Sequence, residues 1–109
     1  MYSFPIEGGE RILKKGHVNL FCDGEVFNGA LYLTNERLVF IGYLPDITSK
    51  YMENIPLAHV SEIIQERSLF IIPNVLRVRT IKDRDLKFIV SERTKWLAEI
   101  NVQIKKIWI

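Results

Sequence analysis

Residues 28–43 read NGALYLTNERLVFIGY and predict a β-hairpin at the centre of the fold. Two apolar runs, 30–33 and 38–41, flank a polar segment, 34–37, whose asparagine tolerates the left-handed backbone of a tight turn. If Thr34 pairs with Arg37, one face of the hairpin carries Leu31, Leu33, Leu38 and Phe40. The opposite face is also apolar, so we expect a central hairpin that is partly covered on both faces; its residues are Ala30, Tyr32, Val39 and Ile41.

The composition is typical of a single globular domain. The chain has 109 residues, of which 48% are hydrophobic and 26% are charged. This length supports one core and is short for two domains of ordinary size, so we expect one domain over residues 1–109. Pro5, Gly8 and Gly9 make residues 1–9 a loosely held lead-in to that domain.

Charge and cysteine content narrow the function classes. A net charge of +2 is too small to favour nucleic acid as a partner. No apolar run approaches the roughly 20 residues of a membrane span, and the first ten residues lack a signal-peptide pattern, which predicts a cytoplasmic protein. The lone Cys22 fits that setting, and with His17 and His59 it supplies too few ligands for a structural zinc site.

Turn signals and alternation predict about seven strands. Asp23-Gly24 is a favoured tight-turn pair, and Pro73-Asn74 is a second turn signal. The strands are predicted at residues 17–22, 25–34, 37–43, 51–57, 62–66 with 69–72, 75–81 and 86–90. Two points stay open: residues 10–15 suit either a helical turn or the start of a strand, and 62–66 with 69–72 form either one bent strand or two.

The pattern changes to a helical period over residues 92–107. Apolar side chains recur at spacings of four and three, at Trp96, Ile100, Ile104 and Ile107. Ser91 suits the N-cap, and the lysines at 105 and 106 suit the last turn. The chain is therefore predicted to be mainly β, a bent, partly open barrel of seven antiparallel strands capped by one C-terminal helix.

Two surface regions are candidates for binding. The alternation of residues 75–81 places Arg77 and Arg79 away from the core, and Lys87 lies on the next strand, so these three side chains are the candidate patch for an anionic partner. The alternative is a solvated face whose charges are balanced by neighbouring acids. The apolar run Leu69, Phe70, Ile71 and Ile72 predicts a strand buried on both faces, or else an interface for a membrane or another subunit.

No group of residues in the sequence indicates catalysis. Cys22 has no nearby group that would activate its thiol, and no nucleophile or carboxylate converges in sequence on His59. We therefore expect no enzymatic activity and no cofactor.

Several short motifs, taken together in order, resemble the GRAM domain, a member of the pleckstrin-homology-like superfold. They cover residues 29–96 and read GALYLT, RLVF, IPL, IPNVL, a phenylalanine at 88 and a tryptophan at 96. The resemblance implies a seven-stranded bent sheet capped by a helix, and a lipid- or protein-binding module with no catalysis. In relatives that bind phosphoinositides the first strand–strand loop is basic, whereas residues 22–25 here read CDGE, which counts against a phosphoinositide pocket there.

From this resemblance we expect a binding or adaptor module that docks on a membrane surface or a protein partner. The alternative is a structural domain that forms homo-oligomers through strand edges and binds no lipid.

Overall fold

The computed structural model describes residues 4–44, 50–68 and 72–107, which form one antiparallel sheet, one α-helix and a short 3₁₀ helix, Leu57–His59. The strands are β1 Ile12–Cys22, β2 Glu25–Thr34, β3 Arg37–Tyr43, β4 Lys50–Pro56, β5 Val60–Ser68, β6 Ile72–Thr80 and β7 Asp85–Ile89, and the helix is α1 Arg93–Ile107. Their order in the sheet is β4-β3-β2-β1-β7-β6-β5. The edge strands β4 and β5 do not pair within the described residues, so the sheet stays an open barrel. The predicted fold class is confirmed.

The hairpin of β2 and β3 has the predicted register. Leu33 pairs with Leu38 and Leu31 with Phe40, and all four side chains belong to the main core. The Thr34 hydroxyl closes the turn by accepting hydrogen bonds from the backbone N–H groups of Glu36 and Arg37, at 3.0 and 2.9 Å. The opposite face is buried as well, in a second cluster formed by Ala30, Tyr32, Val39 and Ile41. The expectation of a hairpin covered on both faces is confirmed.

Residues 10–15, whose structure the sequence left open, include the start of a strand, and the predicted turn at Pro73-Asn74 was wrong. β1 begins at Ile12 and pairs along its length with β2, with a bulge between Ile12 and Lys14. Pro73-Asn74 is not a turn but part of β6, where the Asn74 carbonyl accepts the Val90 N–H at 2.9 Å. Proline is tolerated near the start of a strand, where its missing N–H costs the ladder least. β5 is one continuous strand over Val60–Ser68.

The helix packs its apolar stripe on the sheet. Trp96 and Ile100 are buried in the main core, and Leu97 and Ile104 pack against it. Gly16 on β1 makes room for this contact, since a Cβ built on Gly16 would lie 3.3 Å from the Trp96 ring. The predicted N-cap was wrong by one residue: α1 begins at Arg93, and the Glu92 carbonyl accepts the N–H groups of Lys95 and Trp96.

Residues 4–10 are attached to the hairpin by a buried ion pair. The Glu10 carboxylate accepts hydrogen bonds from Arg37 Nε at 2.8 Å and from the Thr34 hydroxyl at 2.7 Å. Arg37 also donates to the Pro5 carbonyl at 2.8 Å, and the Phe4 ring packs edge-on against Tyr32 at 5.0 Å. These contacts place residues 4–10 over the second cluster, and no local signal in the sequence connects residue 10 with residue 37.

Candidate docking surfaces

The sheet brings the three predicted basic residues together on the outer face of β6 and β7. Arg77 pairs across the strands with Lys87, and Arg79 pairs with Asp85. The inward positions between them are Leu76 and Val78, both buried. The alternation predicted for this strand is therefore what sets the three cations on one face.

The same face carries three carboxylates that bind these cations. Arg77 donates to Asp85 through Nε at 2.7 Å and to Glu66 through Nη1 at 3.0 Å. Glu66 also lies 3.4 Å from Lys87 Nζ, and Glu62 lies 2.9 Å from Arg79 Nη1; we call these six residues the outer patch. Hydrogen bonds from Arg77 lower the pKa of both Glu66 and Asp85 below their ordinary values, so both stay ionised at neutral pH. The outer patch therefore carries equal numbers of positive and negative charges.

An exposed aromatic side chain borders the outer patch. Phe21 on β1 pairs across the strands with Lys87 and is 41% exposed. Since its neighbours Leu20 and Cys22 point inward and are buried, the alternation of β1 is what directs this ring to solvent.

A second surface lies where the start of β1 meets α1. A groove there is floored by the buried Leu33 and bordered by Leu13 and Val102, which are 37% and 50% exposed. Leu13 sits at the β-bulge and has no cross-strand partner in β2, so the bulge is what frees its side chain to line the groove.

Lysines flank this groove on both elements. On the β1 side, Lys14 Nζ lies 3.4 Å from Glu99 of α1 and 5.2 Å from the centroid of the Trp96 ring. On the helix side, residues three and four positions after Val102 share its face, and these are Lys105 and Lys106. No carboxylate among the described residues forms an ion pair with either of these two. We call Leu13, Lys14, Val102, Lys105 and Lys106 the β1–α1 surface.

The turn between β1 and β2 takes part in a network of ion pairs and hydrogen bonds around Arg84. Arg84, on the turn between β6 and β7, donates to Asp23 at 3.1 Å, to Glu53 at 2.8 Å and to the Tyr51 hydroxyl at 2.8 Å. The Tyr51 hydroxyl in turn donates to Glu53. Asp23 of this turn and Glu53 of β4 thus both bind Arg84, which links β4 and the β1–β2 turn to the turn between β6 and β7.

Among the described residues, no three His, Cys, Asp or Glu side chains lie together in a way that could hold a metal ion. The Cys22 thiol is buried, and burial raises its pKa, which disfavours the reactive thiolate. Within the described part of the chain, no helix combines the length and apolar character needed to span a membrane.

Part of the second predicted region lies outside the described residues. Leu69, Phe70 and Ile71 fall in that gap, and Ile72 is described only as the first residue of β6, paired with Ser68. The proposal of an apolar interface at these residues stays a prediction.

The β1–α1 surface was missed in the sequence, although it left one signal. Val102 is apolar but lies off the stripe formed by residues 96, 100, 104 and 107, so it has no place in the core. Leu13 belongs to the stretch whose structure the sequence left open.

A family model described as GRAM domain matches residues 2–100 of this chain. The chain belongs to the GRAM domain family. The match covers all seven strands and the first half of α1, so the family assignment does not depend on a local motif. GRAM and pleckstrin-homology-like domains are generally binding modules for membranes, lipids or proteins and generally lack catalysis, and the coarse function class of this GRAM domain follows from that.

Solved structures with the same fold are distant in sequence. The Vps36 N-terminal PH domain superposes with a TM-score of 0.72 at 12% identity, covering 95% of this chain and 86% of that one. A C-terminal domain of an unknown protein from Leishmania infantum gives 0.70 at 18% identity, covering 88% and 85%. The hSac2 domain from the human phosphoinositide phosphatase Sac2 gives 0.66 at 13% identity, covering 94% and 74%. At these identities the likeness establishes the fold alone. Among curated proteins, no sequence matches this chain.

Proposed function

We propose that this GRAM domain is a non-catalytic docking module that attaches reversibly to an anionic membrane surface. The observation that carries the proposal is the uneven pairing of its cations. Lys105 and Lys106 have no acidic partner in the described residues, while the cations of the outer patch are matched by equal numbers of carboxylates. Unpaired lysines attract an anionic lipid surface at about 1 kcal/mol each, whereas a balanced patch has little net attraction.

The customary ligand loop of the superfold is a poor alternative for the contact. Asp23 and Glu53 already bind Arg84, and an anionic headgroup placed there would meet both carboxylates. The membrane contact is therefore better placed away from the turn between β1 and β2. A peripheral attachment of this kind is compatible with a cytoplasmic protein.

Self-association is the second candidate function. β4 and β5 are the edges of the open sheet, and each has only one strand neighbour in the described residues. An edge strand presents unpaired backbone N–H and C=O groups to a second copy. Under this alternative the domain is structural and needs no lipid.

Vesicle sedimentation tests the proposal. The protein is mixed with vesicles of phosphatidylcholine alone and with vesicles that also contain phosphatidylserine, at low and high salt. We expect binding only to the anionic vesicles and weaker binding at high salt, because surface electrostatics are screened. An absence of binding to anionic vesicles at low salt would overturn the proposal. Analytical ultracentrifugation at micromolar concentration tests the second candidate function. Self-association requires a dimer or a larger species in the sedimentation profile, and a monomer contradicts it.

A further inference from the structure

We infer that the β1–α1 surface is the part of the molecule that meets the membrane, and that Leu13 and Val102 enter the lipid interface while the flanking lysines stay at headgroup level. This inference rests on the proposed function and adds where and how the contact is made. It distinguishes the β1–α1 surface from the outer patch, which is basic in sequence but balanced in the structure.

Exposed apolar side chains and unpaired cations stand side by side on this surface. Leu13 and Val102 border one groove from two different elements, so they form a single apolar strip. Lys105 and Lys106 follow Val102 by one helical turn, and Lys14 adjoins Leu13 in sequence. Long lysine side chains extend their ammonium groups toward an interface while their stems cover apolar surface. This is the arrangement of an amphipathic surface element that lies in the plane of the headgroups.

The one acidic side chain in the groove does not oppose the contact. Glu99 lies 3.4 Å from Lys14 Nζ, so its charge is offset inside the groove. With Lys14 offsetting Glu99, Lys105 and Lys106 leave the surface with a net positive charge. Two available lysines beside an apolar strip complement an extended anionic surface, which is why an anionic lipid surface is the partner that this face fits.

The electrostatic half of the inference is tested by two double variants with the same loss of charge. Lys105→Gln with Lys106→Gln removes two cations from the β1–α1 surface, and Arg79→Gln with Lys87→Gln removes two from the outer patch. At low salt, on vesicles that contain phosphatidylserine, we expect the first variant to lose about thirtyfold in affinity and the second less than about threefold. All four substituted side chains are exposed, and glutamine has a helix propensity close to that of lysine, so both variants should fold.

The apolar half is tested by a second matched pair. Val102→Gln removes an exposed apolar side chain from the groove, and Ile81→Gln removes one from the turn between β6 and β7, where Ile81 is 62% exposed. With electrostatics screened by high salt, the remaining vesicle binding should fall severalfold in Val102→Gln and stay unchanged in Ile81→Gln. Circular dichroism and thermal melting of each variant establish that binding is compared between folded proteins.

The outcomes separate the inference from the function on which it rests. If the parent protein does not bind anionic vesicles, the proposed function fails and the inference fails with it. If the parent binds but the Lys105 and Lys106 variant loses no more than the outer-patch variant, the function stands and the location is overturned. If Val102→Gln and Ile81→Gln behave alike at high salt, insertion of the apolar strip is overturned.

Discussion

The β2–β3 hairpin and the outer patch both contain arginine–carboxylate pairs, but in different surroundings. In the hairpin, the side chains of Arg37 and Glu10 are 13% and 0% exposed. In the outer patch, those of Arg79 and Glu62 are 42% and 50% exposed. Water and salt screen the exposed Arg79–Glu62 pair and hardly reach the buried Arg37–Glu10 pair. Breaking the buried pair should therefore destabilise the fold, whereas breaking the exposed pair should have very little effect.

The aromatic residues of the two regions differ in the same way. Phe40 of β3 is fully buried, with its ring centroid 6.1 Å from that of Phe88, whereas Phe21 beside the outer patch is 41% exposed. Phe40 thus stabilises the fold, whereas Phe21 is accessible to a partner.

Truncating the buried Phe40 side chain should have the largest effect on stability. Phe40→Ala should lower the free energy of unfolding by about 3 to 5 kcal/mol, because it removes apolar contacts and leaves a cavity. Phe21→Ala, the same change on the outer face, should cost less than about 1 kcal/mol. Urea denaturation of both variants measures the difference. Equal losses would mean that the outer face is as much part of the core as the hairpin.

Removing one partner of the buried ion pair should have the next largest effect. Glu10→Gln leaves the Arg37 guanidinium without its carboxylate and should cost about 3 kcal/mol. Glu62→Gln makes the matched change in the exposed pair and should cost less than about 1 kcal/mol. Thermal melts at neutral pH compare the two. A Glu10→Gln midpoint close to that of the parent would contradict a stabilising role for residues 4–10.

The buried pair also predicts how stability depends on pH. The Arg37 hydrogen bond lowers the Glu10 pKa from 4.5 to about 2, so the folded state favours the ionised carboxylate. This contribution is fully present above pH 4.5 and is lost as the pH falls through about 2. Denaturation between pH 6 and pH 2 should show a decrease in stability that is smaller in Glu10→Gln. The same decrease in both proteins would assign the acid sensitivity to other carboxylates.

The smallest expected effect is on the charges of the outer patch. The triple variant Arg77→Ala, Arg79→Ala and Lys87→Ala should change the free energy of unfolding by about 1 kcal/mol or less, since each cation is partly or well exposed. Urea denaturation at low and at high salt measures this change in the free energy of unfolding. A loss of several kcal/mol that disappears at high salt would show that the patch acts as a cooperative network.

The sequence alone predicted the features that depend on local pattern. The hairpin register followed from the alternation of apolar residues, and the helix followed from the spacing of Trp96, Ile100 and Ile104. The left-handed backbone suggested for the asparagine of the turn is not observed at Asn35, and the Thr34 hydroxyl closes the turn instead. Strand ends were less predictable, because backbone pairing with a distant strand kept Pro73-Asn74 in β6 despite its turn propensity.

The sequence did not predict which carboxylates pair with the arginines of the outer patch. The alternation of residues 75–81 placed Arg77 and Arg79 on the outside, as predicted, but it did not show which side chains would face them. Glu62 and Glu66 reach them only because β5 pairs with β6 in one particular register. A one-residue shift of that register would turn both carboxylates to the other face.

What the sequence by itself determined is the open, helix-capped sheet of a GRAM domain, since apolar periodicity and turn residues act within a few positions of one another. What only the tertiary structure decided is which charges are offset and which stay available. Glu10 meets Arg37, Asp23 meets Arg84 and Glu66 meets Arg77 across separations of 27, 61 and 11 residues. Coulombic interactions depend on distance in space and on exposure to water, and local sequence patterns indicate neither for residues far apart in the chain.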